Sequence, residues 1–122
     1  MYHAIVLRSS LSDYSTLEDQ YLPFAYVKSE NGSQNILALE VKPSEKDQFI
    51  SKLQKEIKAG PYYAHLYNDS ELIVVFKEKS FVVANPDEII PVWEYARSLN
   101  IPEEQLDFQP ASFAEEEDYF NT

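Results

Sequence analysis

The stretch GPYYAHLYNDSELIVVFKEKSFVVA, residues 60–84, decides how this chain folds. Residues Tyr62 to Tyr67 alternate, so Tyr62, Ala64 and Leu66 share one face of a strand and Tyr63, His65 and Tyr67 the other. Asn68-Asp69-Ser70 is a turn cluster, because short polar side chains bond the local backbone. Leu72 to Phe76 is an unbroken apolar run rich in β-branched residues, which suits a strand covered on both faces. Glu78-Lys79 then turns the chain into Phe81-Val82-Val83. Three strands in a row are predicted, joined by two tight turns.

Working towards the N-terminus, a helix is predicted after Pro43-Ser44, with Ser44 and Asp47 at its start. Phe49, Ile50, Leu53 and Ile57 form its apolar stripe, and Gly60-Pro61 is expected to stop it. Asn35 to Lys42 reads as a strand with Leu37, Leu39 and Val41 inward, and Phe24 to Lys28 as a shorter one. Asn31-Gly32 is a turn signal between them. Ser15 with Glu18 has capping-box spacing, and Tyr14, Leu17 and Tyr21 share a helical stripe that Pro23 ends. Tyr2 to Leu7 alternates as the first strand.

Towards the C-terminus, Asn85-Pro86-Asp87-Glu88 is a helix-start signal. Pro91 disfavours helical geometry at Ile90. A turn over 86–89 and a helix from about Pro91 to Leu99 are expected, with Val92, Trp93, Ala96 and Leu99 inward and Asn100 capping the end. Pro102 to Gln105 adds one more turn in this reading. Residues 1–114 read as a single α+β domain and 115–122 as an acidic, frayed tail.

The order matches a ferredoxin-like split β-α-β core, extended by a C-terminal β-hairpin and a third helix. An antiparallel sheet would then carry two helices on one face. Tyr2, Ala4, Val6, Tyr63 and Tyr67 are expected on the other face. They are too apolar for water, so the third helix, the tail or a second subunit should cover them.

Composition narrows the function. The net charge is −11, and the last twenty residues carry seven acids and no base. Such a surface repels phosphate backbones and anionic membranes, so neither nucleic acid nor membrane is an expected partner. With two glycines, Gly32 and Gly60, no phosphate-cradling loop can be built. The absence of cysteine excludes disulfides, thiolate metal sites and a cysteine nucleophile. His3 and His65 lack zinc-site spacing, and Glu115 to Asp118 lacks the alternating ligands of a calcium loop. No metal and no cofactor are expected. Near the N-terminus, Ala4 to Leu7 is too short for a signal-peptide core, so a cytoplasmic place is expected.

The segment GPYYAHLYNDSELIVVF, with the Trp-containing helix and SLNIPEEQLDFQP after it, resembles a family of small uncharacterised bacterial α+β proteins over residues 60 to 110. The resemblance implies a soluble bacterial protein and brings no catalytic residues.

Three functions follow. The leading one is a soluble non-catalytic domain that associates through its sheet face, with itself or a protein partner, at Tyr2, Tyr63, His65 and Tyr67. A small ligand at that face belongs to the same reading. The alternative is a cofactor-independent enzyme with His65 as general base in a pocket lined by Tyr63 and Tyr67. An acidic mimic that blocks a basic partner is a third.

Overall fold

The computed structural model describes residues 1–7, 11–12, 21–28 and 35–101. The expected first helix, the Asn31-Gly32 turn, the turn at Pro102 and the C-terminal tail lie outside the described residues.

Six strands and two helices are described: β1 Tyr2–Leu7, β2 Leu22–Lys28, β3 Asn35–Val41, α1 Lys46–Glu56, β4 Ala64–Tyr67, β5 Leu72–Val75, β6 Ser80–Val83 and α2 Ile89–Ser98. The strands form one sheet in the order β2-β3-β1-β4-β5-β6. Every neighbouring pair is antiparallel. The protein is therefore α+β, built on an antiparallel sheet. No helix among the described residues is long and apolar enough to cross a membrane.

The alternation along each strand sorts the side chains into two cores. On one face Ala4, Val6, Leu37, Leu39, Val41, Ala64, Leu66, Ile73 and Val75 meet Phe49, Leu53 and Ile57 of the α1 segment. Phe49 and Leu53 are fully buried. Burial of such a side chain is worth about 1.5–3 kcal/mol relative to exposure. Phe49 also meets the edge of Tyr21, with ring centroids 4.8 Å apart. On the opposite face Val74 and Phe76 pack with Val92, Ala96 and Ile101, and Tyr63, Phe81, Trp93 and Tyr95 close around them. Strand β5 thus contributes to both cores, as its unbroken apolar run implies.

Several boundaries differ from the sequence reading, each for a local reason. Helix α1 ends at Glu56, before Gly60. Ile57 turns to extended backbone and bridges Leu11, while Ser12 N–H donates to the Glu56 carbonyl at 2.7 Å. Ser44 falls inside a 3₁₀ turn, Pro43–Glu45, ahead of α1 and makes no side-chain cap. Strand β2 begins at Leu22 and runs through Pro23, with a register shift between Pro23 and Ala25. A proline in an edge strand at a bulge costs little, because no ladder bond is demanded of it there. Helix α2 begins at Ile89 after a 3₁₀ turn over Pro86–Glu88. Pro91 is then in its first turn, where the missing N–H would have had no helical acceptor.

Asn100 ends α2 in the left-handed region, at φ 63°. Its N–H reaches the Arg97 carbonyl at 3.0 Å, and the Ile101 N–H reaches that of Ala96 at 3.2 Å. These two bonds are a Schellman closure, and Ile101 packs in the core beside Ala96.

Candidate interaction surface

The register between β1 and β4 places the candidate residues. His3 lies opposite Tyr67, Ala4 opposite Leu66 and Ile5 opposite His65. Directly opposed residues share a face, so His3, Ile5, His65 and Tyr67 line the face opposite α1. Tyr2 does not join them. It packs with Ala4 and Val6 in the core under α1. The expected set of Tyr2, Ala4, Val6, Tyr63 and Tyr67 on one face is therefore split between two faces. Tyr63, His65 and Tyr67 do stand together.

The rings on this second face form a row. His3 meets Tyr67 edge-on at 6.1 Å, and Tyr67 lies 6.0 Å from His65. His65 is 6.4 Å from Tyr63, and Tyr63 is 6.1 Å from Phe76. Phe76 continues to Tyr95 at 4.8 Å and Phe81 at 5.9 Å. Lys79 Nζ sits 4.9 Å above the Phe81 ring, where the quadrupole attracts a cation. At the other end His3 Nε2 is 3.9 Å from Glu40 Oε1.

The row is closed to solvent at its centre: Tyr67 is 0% exposed and His65 4%. A general base must reach its substrate within hydrogen-bond distance. In this conformation His65 offers no such approach. Among the described residues no group of three or more histidines or carboxylates is placed to hold a metal ion.

Tyr2 has a separate role. Its hydroxyl donates a hydrogen bond to Glu71 Oε1. Burial first, then this bond and the negative charge of Glu71, raise its pKa from 10.0 to about 12. Glu71 ends the β4–β5 turn, which Asn68 ties together. Asn68 Oδ1 accepts from the N–H groups of Ser70 and Glu71 at 2.8 and 2.9 Å. Between this turn and Val83–Pro86 lies an open cleft of about 230 Å³.

The outer edge of the sheet is the feature that face-by-face reading of the sequence missed. Strand β6 is last in the strand order, and among the described residues no strand pairs with its second edge. Val82 shares the α1 face with its partner Ile73, but it is 49% exposed. Its neighbours Ser80 and Ala84 are exposed as well. The available signal was a third strand, SFVV, carrying no charge and followed directly by a helix start. Comparison of the chain with protein-family models, curated proteins and solved structures found no match.

Proposed function

We propose that this chain is a non-catalytic association domain that works through the β6 edge of its sheet and the apolar flank beside it. The observation carrying the reading is the contrast between two surfaces. The His65–Tyr67 face is closed within one chain, whereas β6 has no strand on its second edge among the described residues and leaves Val82 half exposed. An open strand edge of apolar side chains is a template for another strand, since backbone groups there lack partners. The reading keeps the association expected from the sequence and moves it from the face to the edge.

In the same reading, the order β2-β3-β1-β4 is a ferredoxin-like core. Strands β5 and β6 extend it to one side, and α2 covers the added strands. The domain would work in a bacterial cytoplasm, where a chain without cysteine loses nothing to the reducing environment.

Amide hydrogen exchange tests this proposal. Amides of an open edge exchange fast and slow down when a strand is added. The Ser80, Val82 and Ala84 amides should slow as protein concentration rises or as short extended apolar peptides are added. If all three keep unprotected rates under every condition, the edge is not an association surface.

A further inference from the structure

We propose that the occupant of the β6 edge is a second copy of this chain, paired antiparallel about a two-fold axis at Val82. This rests on the edge reading above and adds the partner and the register.

The direction of the backbone groups follows from two turns. The Phe76 N–H donates to the Lys79 carbonyl at 2.7 Å, and the Asn68 N–H to that of Glu71 at 3.1 Å. Hydrogen-bonded pairs alternate with unbonded ones along an antiparallel ladder. From the second bond, Glu71, Ile73 and Val75 bond towards β4. From the first, Val74 and Phe76 bond towards β6, and in β6 Lys79, Phe81 and Val83 point back at them. The two turns agree on this alternation independently. The N–H and C=O groups of Ser80, Val82 and Ala84 therefore point away from β5.

An axis at Val82 uses all three outward residues. Val82 meets its own copy, Ser80 meets Ala84 of the second copy, and Ala84 meets its Ser80. That arrangement allows about six inter-chain backbone hydrogen bonds, two for each closely spaced pair. Shifting the axis to Phe81 leaves Ala84 opposite Glu78 in the hairpin turn. Shifting it to Val83 sets Ser80 against Pro86, which has no N–H to donate. Val82 is then covered by its own copy on the α1 face, and Phe81 lies beside the second copy's Val83 on the other.

Charge favours the same arrangement. Lys77 and Lys79, with Glu78 between them, flank one end of β6 with a net charge of +1, and Asp87 and Glu88 follow the other with −2. Antiparallel pairing brings each basic end to an acidic end, twice by symmetry. Lys77 comes opposite Asp87. Lys79 comes opposite Asn85, whose Nδ2 donates to Glu88 Oε1 at 2.9 Å.

The absence of native cysteine makes a direct test available. Hydrogen-bonded antiparallel pairs have Cα atoms about 5.5 Å apart, inside the disulfide range of about 4.4–6.8 Å. Under mild oxidation Val82→Cys should cross-link to itself. Ser80→Cys alone and Ala84→Cys alone should not, but an equal mixture of those two should give the mixed dimer.

Sedimentation should show the wild-type chain at twice its 14.1 kDa mass. Val82→Pro takes away an outward N–H without touching the bonds to β5, so the variant should still unfold cooperatively while its dimer weakens about tenfold or more. If Val82→Cys cross-links no better than Glu78→Cys, the register is refuted. If the chain stays monomeric yet slows its edge amides with an added peptide, self-pairing is refuted and the edge reading survives. A monomer whose edge amides stay fast removes both.

Discussion

Replacing Phe76 by alanine should remove the pin of the second core. Phe76 is 0% exposed and its ring contacts Tyr95, Phe81 and Tyr63 at 4.8, 5.9 and 6.1 Å. Its carbonyl also accepts from Gln54 Nε2 at 3.2 Å, which ties the strand end to α1. A buried Phe→Ala change costs about 3–5 kcal/mol, as lost transfer energy plus the residual cavity. The close, steeply inclined Tyr95 pair adds to that and places the expected loss near the top of the range. A chain of 122 residues has a total stability of roughly 6–18 kcal/mol. The variant should fold, but with its margin sharply reduced. At about 2.1 cal/mol/K per residue, the unfolding entropy turns a loss of about 5 kcal/mol into a fall of about 20 °C in Tm. Urea and thermal unfolding at one fixed protein concentration measure this, since association would make Tm concentration-dependent. Phe76→Leu should lose much less, because the volume is largely kept. If Phe76→Ala costs under about 1.5 kcal/mol, α2 does not enclose a packed core on β5 and β6.

Two further predictions concern Tyr2 and Asn100. Tyr2 binds its proton more tightly when folded, with a pKa of about 12 against 10.0. Its contribution is fully present below pH 10 and is lost as pH rises towards 12, since the unfolded chain releases that proton first. Tyr2→Phe should therefore flatten the alkaline part of the stability profile between pH 10 and 12, and an unchanged profile would refute the assignment. Asn100 holds φ 63° at the end of α2. Asn100→Gly should keep or raise Tm, and Asn100→Val should lower stability by about 1–2 kcal/mol, because a β-branched residue resists the left-handed region.

The strands and both described helices were legible because each carries its own period. The run Leu72–Phe76 announced a doubly covered strand, and Asn100 announced the end of α2. The apolar stripes Phe49-Leu53-Ile57 and Val92-Ala96 marked the packing faces of both helical segments. Assignment of the faces failed because period two separates Tyr2, Ala4 and Val6 from His3 and Ile5 without saying which set meets α1. That choice depends on the pairing of β1 with β4, whose partners His3 and Tyr67 are far apart in the chain. The end of α1 was misplaced for a related reason. Ile57 leaves the helix to bridge Leu11, a contact that no local pattern at Gly60 encodes. His65 read as a site because a histidine between tyrosines offers chemistry, and only burial shows that the row is closed.

The second core has a consequence for how the chain reaches this fold. Every described member of that cluster lies between Tyr63 and Ile101. The two tight turns and the loop into α2 bring these residues together over short separations, so little loop-closure entropy opposes them. The first core is different, because β1 must find β4 across most of the intervening sequence. Short-range contacts form quickly and distant strand pairings slowly. The C-terminal half thus supplies a locally assembled platform, and β4, which pairs with β5 on one side, offers its other side as the edge on which distant β1 closes.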